Sequence, residues 1–143
     1  MCDARGAMEL HDASFSELHD ARIVAVETDP GARTVTLRFK HVAFYFREGE
    51  ATLHVLYGFG LDLVGEAVSE VVGGPLEPDA WVMDGAIRTR DGREIDLVEV
   101  VRAPAHDVSV TLGTDIGTRF AFRATTLRIA GPVLNGFREE SPF

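Results

Sequence analysis

Short β-rich runs separated by turn signals are the feature of this sequence that most constrains its fold. Residues 22–28 and 34–39 flank Asp29-Pro30-Gly31-Ala32, where proline sets φ and glycine accepts a positive φ. In the second run every other residue, from Val35 to Phe39, is apolar. This alternation gives a strand with one dry face and one wet face. The segment therefore predicts an antiparallel hairpin.

A second hairpin is predicted from residues 41–46 and 51–57. A two-residue turn at Glu48-Gly49 would set Ala43 opposite His54, since a hairpin's register follows from its loop length. The pleat would then gather two histidines and a tyrosine on one face of the sheet: His41, Tyr45 and His54. These three residues are a candidate ligand site, although sheet residues with no shared task are the simpler interpretation.

A short amphipathic helix is predicted near residues 62–72, because apolar residues recur there at helical spacing. Asp62 can act as its N-cap and Gly73 can end it. The alternation of Val68, Glu70 and Val72 also permits a strand.

A third hairpin is predicted from residues 81–89 and 94–101 around Asp91-Gly92, a pair typical of tight turns. Two further alternating runs follow it. Together the runs predict a mainly β fold, an antiparallel sandwich or partly open barrel of about eight short strands with the one helix. We expect residues 1–143 to form a single domain in which 1–13 and 133–143 are loosely ordered.

The net charge of -9 favours a cationic protein partner and disfavours nucleic acid. The single cysteine, Cys2, excludes a disulfide within the chain. No stretch is apolar enough for a membrane helix, and residues 1–10 carry charges instead of an apolar signal core. We therefore expect a cytoplasmic protein that binds neither membranes nor nucleic acid, and an edge strand would allow it to form homo-oligomers.

The pentapeptide Glu-Leu-His-Asp-Ala occurs at residues 9–13 and again at 17–21. It concentrates the groups best suited to bind a metal or move protons: His11, Asp12, His19 and Asp20. On one helix the two histidines would be about 12 Å apart along the axis, and on one strand about 26 Å apart. Bonds near 2 Å cannot span either distance, so a shared ion requires a chain reversal between the copies.

A structural role for the second copy is the stronger interpretation. Ser14-Phe15-Ser16-Glu17 fits a capping box, which predicts a short helical turn leading into the first strand. His19 and Asp20 would then lie at the junction, where an aspartate can accept backbone amides.

Other catalytic signatures are missing from the sequence. It has no Gly-x-Ser-x-Gly elbow and no Walker lysine. Trp81, Phe120 and Phe122 are predicted to be core residues and not an aromatic recognition surface.

Two segments resemble the immunity protein 50 family, whose members often begin with a His-Asp-Ala step into a hairpin. The first is residues 17–23, followed by Asp29 and the strand 34–39, and the second is residues 120–129. The resemblance implies a β-rich protein that neutralises a toxin by binding it. It carries over no binding residues.

The sequence thus favours a non-catalytic binding or protein-interaction module that needs no cofactor. One alternative is a metal-binding protein or metal-dependent hydrolase that uses the N-terminal His-Asp pairs. Another is a β domain with a small-ligand pocket between its sheets.

Overall fold

The computed structural model describes residues 13–48, 52–74, 76, 79–130 and 133–142. Within them the chain forms eight strands and one short helix. In chain order these are β1 (Phe15–Asp29), β2 (Thr34–Glu48), β3 (Thr52–Gly73), β4 (Ala80–Thr89), β5 (Glu94–Ile95), α1 (Leu97–Arg102), β6 (Ala105–Thr114), β7 (Arg119–Ala130) and β8 (Val133–Pro142). In this part of the chain, no helix has the length and apolar character to cross a membrane.

The first predicted hairpin is confirmed. β1 and β2 pair antiparallel up to Asp29 and Thr34, and Ala32 N donates to the Asp29 carboxylate within the turn. Val35 and Phe39 are buried as the alternation predicts. β2 does not stop near residue 40, however, but runs on as a single strand of 15 residues, so several strands are longer than expected.

The helix predicted near residues 62–72 is wrong, because this segment belongs to β3. Both neighbours pair with it: Leu63 lies opposite Leu37 of β2 and Ile129 of β7. Asp62 does not cap a helix but receives a hydrogen bond from Arg38 Nε at 3.1 Å. The acidic residues of the segment thus meet arginines on adjacent strands, and a buried strand satisfies the apolar spacing equally well.

The helix lies instead at α1, where the sequence predicts a strand over 94–101. β5 is only two residues long, and Asp96 then caps α1. The Asp96 carboxylate accepts from Val98 N at 2.8 Å, while Glu99 accepts from Asp96 N at 3.0 Å. This reciprocal pair is a capping box, and it turns the chain into a helix immediately after β5.

The predicted register of β2 with β3 is wrong by three residues. Ala43 lies opposite Tyr57, and His54 lies opposite Phe46. Glu48 is opposite Thr52 in the ladder, so it is a strand residue and not part of a two-residue turn. The long ladder sets this register because the buried Leu37 and Leu63 must meet on the same face.

The sheet closes into a barrel of six strands, which decides between the two predicted β architectures. The order is β1-β2-β3-β7-β6-β4, with β5 beside β4. Two residue pairs between β1 and β4 complete the circle, Arg22 with Trp81 and Ile23 with Ala80. β8 continues the ladder of β7 along the first half of β3.

The barrel interior is one continuous apolar cluster to which every barrel strand and α1 contribute. Its largest fully buried side chains include Phe39, Phe122, Leu63 and Leu127. Gly65 permits close packing in this core, because a Cβ there would lie 2.5 Å from Cε2 of Phe122 and 3.3 Å from Cβ of Ala124. The Phe122 ring of β7 therefore packs directly against the backbone of Gly65.

Gly65→Ala should lower the free energy of unfolding by about 1–3 kcal/mol, because overpacking forces a buried ring to move. Gly31→Ala is the matched control: it lies in the β1–β2 turn, where the nearest atom to a new Cβ is 3.4 Å away. The control should leave stability unchanged or slightly raised. Urea denaturation of both variants measures the difference, and equal effects would contradict the packing described here.

Candidate functional site

His19 and Asp20 lie in a wide bulge of β1. Glu17 pairs with Ala43, and the next pair is Arg22 with His41, so four residues of β1 stand against one of β2. Asp20 adopts a positive φ of 69°, which aspartate tolerates better than most residues. The short helical turn predicted from Ser14 to Glu17 is wrong, since the strand has already begun at Phe15.

The two side chains of the bulge contact each other and the solvent. His19 Nδ1 lies 3.3 Å from Asp20 Oδ2, and the side chains are 54% and 72% exposed. His11 and Asp12 lie outside the described residues. Among the residues that the structure describes, no three His, Cys, Asp or Glu side chains are grouped to hold a metal ion.

His19 lines an open cleft of about 450 Å³ on the outside of the barrel. One wall is the β1 segment 16–19, and the other is formed by β4, β5 and the start of α1. Among the described residues the lining contains one histidine, His19, four carboxylates and no lysine or arginine; the carboxylates are Glu17, Glu94, Asp96 and Glu99. Arg88 and Arg93 lie outside the lining, beside Glu94 and Glu99. The lining of the cleft is therefore acidic.

Asp96 holds the two walls of this cleft together. Its carboxylate accepts from Ser16 N at 3.1 Å and from Ser16 Oγ at 2.7 Å, in addition to capping α1. Ser16 and Asp96 are 80 residues apart in sequence. This contact joins the beginning of β1 to the helix, so it fixes the width of the cleft.

Glu99 also serves the fold. The amide of Asp96, and then the Arg93 guanidinium, stabilise its charged form and lower the pKa of the carboxyl below its ordinary value of 4.5. The stability that this carboxylate contributes is therefore present above that value and lost as the pH falls through the lowered pKa.

Glu17 and Glu94 are the two lining carboxylates that are not engaged in the helix cap. Glu17 accepts from the Tyr45 hydroxyl at 3.1 Å, and the Tyr45 ring stacks on Phe15 at 4.7 Å between centroids. Glu94 lies 3.8 Å from Arg88 on the exposed surface. Both carboxylates are open to solvent, so a partner can reach them.

The prediction that His41, Tyr45 and His54 share a face depended on the predicted register of β2 with β3, which is wrong. His41 and Tyr45 have the same parity on β2, but His54 is paired with Phe46, a position of the other parity. The side chain of His54 lies outside what the structure describes. Neither His41 nor Tyr45 lines the cleft.

His41 belongs instead to a row of side chains on the outer face of the barrel. The His41 and Trp81 rings pack edge to face with their centroids 5.7 Å apart. The Arg22 guanidinium lies over the Trp81 ring, 4.9 Å from its centroid. Phe120 and Phe122 are buried as predicted, but Trp81 is not a core residue, since it is 37% exposed. It flanks the closure of the barrel because it pairs with Arg22.

The pKa of His41 lies below its ordinary value of 6.5, first because of burial and then because of the nearby Arg22 and Lys40 charges. Protonation of His41 would add a second positive charge beside the Trp81 ring, which the Arg22 guanidinium already contacts.

The sequence could have revealed part of this site. The capping box at Asp96 and Glu99 has a local spacing that was open to prediction. No local signal predicted that Glu17 and Glu94 line one cleft or that Trp81 faces outwards. Both features result from the closure of the barrel.

Asp96→Ala should lower the free energy of unfolding by about 2 kcal/mol, because it removes the helix cap and leaves the Ser16 donors without their acceptor. Asp115→Ala, at an exposed turn, is the control and should stay within about 0.5 kcal/mol of the wild type. The midpoint of urea unfolding measures both. Similar losses in the two variants would show that Asp96 does not tie the walls together.

His41 predicts a pH dependence of stability. Because its pKa is lower in the folded chain, the unfolded chain takes up the proton first, and the free energy of unfolding falls as the pH drops below 6.5. His41→Asn should reduce the difference in stability between about pH 7.5 and about pH 5.5. His106→Asn, at an exposed position, should leave that difference nearly as in the wild type, and the reverse order would contradict the environment described for His41.

The chain matches no protein-family model, no curated protein and no solved structure. The resemblance of residues 17–23 and 120–129 to the immunity protein 50 family therefore stays a prediction. The geometry of the cleft and of the Trp81 row is what bears on function.

Proposed function

We propose that the protein is a non-catalytic interaction module that binds a cationic protein partner through the acidic cleft. The observation that carries this proposal is the cleft lining, in which the residues that the structure describes include four carboxylates and no lysine or arginine. The net charge of the chain, -9, adds a long-range field of the same sign. Such a field raises the association rate of a basic partner.

Two features of the site support binding over catalysis. Asp96 and Glu99 are committed to hydrogen bonds that hold α1 and β1. His19, the one imidazole of the lining, is exposed and contacts Asp20, which lies outside the lining. A general base in a hydrolase is normally held in place beside its substrate and tuned by its surroundings.

The proposal extends to an immunity-like role, in which the partner is a basic toxin domain. The residues that support it are the His19-Asp20-Ala21 step and the hairpin that follows. A cytoplasmic location is part of the same proposal.

The test is the affinity of the protein for a labelled arginine peptide of about ten residues. Removing the two accessible charges with Glu17→Gln and Glu94→Gln together should weaken binding about tenfold at low salt, since each exposed charge contributes modestly. Raising the ionic strength should also weaken binding of the peptide to the wild-type protein.

The control carries the same change of net charge at a distance from the cleft. Asp107→Asn with Glu70→Gln also removes two exposed acidic groups, and it should alter affinity little. Equal weakening by both double variants would assign the binding to net charge and overturn the cleft as the site. Hydrolysis of ester or phosphoester substrates that disappears in His19→Ala would overturn the non-catalytic assignment.

A further inference from the structure

An exposed apolar patch lies along the same strands as the cleft. Trp81 is 37% exposed and Met83 47% exposed, whereas Ala80 and Val82 beside them are buried. Alternation along β4 therefore directs Trp81 to the outside of the barrel. Large side chains exposed together on a small domain mark a binding surface more often than isolated ones do.

The patch and the cleft are neighbours along β4. Arg22 of β1 pairs with Trp81, and Met83 is two residues before Gly85, which lines the cleft. Gly85 pairs with the buried Leu112 and therefore faces the inner side of the strand, whereas Trp81 and Met83 are exposed on its outer side.

Trp81 is held in place before any partner arrives. Arg22 covers its ring, His41 meets its edge, and Arg22 is itself held by Asp79, with Nε 3.7 Å from Oδ1. A side chain whose rotamer is already restricted loses less conformational entropy on binding. Tryptophan in such a position is a frequent energetic centre of protein interfaces.

The cleft, and not the border of the patch, indicates which partner fits this region. The exposed carboxylates of Asp79 and Asp84 each face an arginine, Asp79 at 3.7 Å from Arg22 and Asp84 at 3.6 Å from Arg119. The charges beside the patch are therefore balanced. The negative charge that favours a basic segment is that of the neighbouring cleft, where Glu17 and Glu94 are exposed.

We propose that this surface binds one extended basic segment of the partner, with an apolar side chain of that segment resting on Trp81 and Met83 and its basic residues in the cleft. This rests on the proposed function and specifies the partner. Ala86 lines the cleft, and from Trp81 to Ala86 β4 spans about 17 Å at 3.3 Å per residue. The apolar residue and the basic residues of the segment are therefore about five positions apart.

The test uses three synthetic peptides of about ten residues, each with two arginines at one end of a glycine-serine chain. The first carries a leucine about five positions from the arginines, the second carries alanine in its place, and the third carries the leucine next to the arginines. The first should bind the wild-type protein about tenfold more tightly than either of the others.

The tighter binding of the first peptide relative to the other two should disappear in Trp81→Ala. The difference in affinity should fall severalfold in Met83→Ala. Met83→Ala serves as the second variant if loss of the indole disturbs the closure of the barrel, since Met83 is the more exposed. Val72→Ala, an exposed apolar residue on β3, is the control and should keep the full advantage. A double-mutant cycle between peptide and protein measures the coupling directly.

The two proposals fail in different ways. If all three peptides bind with equal affinity, and all bind more weakly when Glu17 and Glu94 are replaced by glutamine, the acidic cleft is the site but the apolar anchor is wrong. If no peptide depends on Glu17 and Glu94, the proposed function itself fails. If Val72→Ala removes the leucine advantage as completely as Met83→Ala does, the anchor does not lie on β4.

Discussion

Two residue pairs between β1 and β4, Arg22 with Trp81 and Ile23 with Ala80, close the barrel. The bulge before Arg22 makes this closure possible, since four residues of β1 stand against one of β2 and change the direction of the strand. Bulges bend strands and re-aim side chains at such places. The cleft, the outward position of Trp81 and the exposure of His19 all follow from the way these two strands meet and then diverge.

The carboxylates around that line divide into two groups. Asp96 and Glu99 satisfy backbone amides at the start of α1, and Asp96 also reaches across to Ser16. Glu17 and Glu94 remain accessible. The fold therefore uses two of these carboxylates in local hydrogen bonds and leaves the other two exposed at the surface. This division explains why a cleft with four acids need not be a metal site.

The sequence predicted the parts of the fold that depend on near neighbours. The hairpin at Asp29 and Thr34 is confirmed because its turn residues and its alternation act over a few positions. The helix near 62–72 is wrong because its apolar spacing suits a strand as well, and the choice is made by β2 and β7 on either side. Of the candidate site, the sequence identified His19, whereas three of the four lining carboxylates come from a segment about 80 residues away.

By itself, then, the sequence determined a mainly antiparallel β chain, the turn after Asp29, the turn at Asp91-Gly92 and the negative net charge. Only the tertiary structure decided that the sheet closes into a barrel, that 97–102 is the helix and that Trp81 faces outwards. The physical reason is the range of the interactions. Turn geometry, capping and charge are properties of a few adjacent residues, whereas strand partners, register and the walls of a cleft are chosen by burial and hydrogen bonding between distant segments.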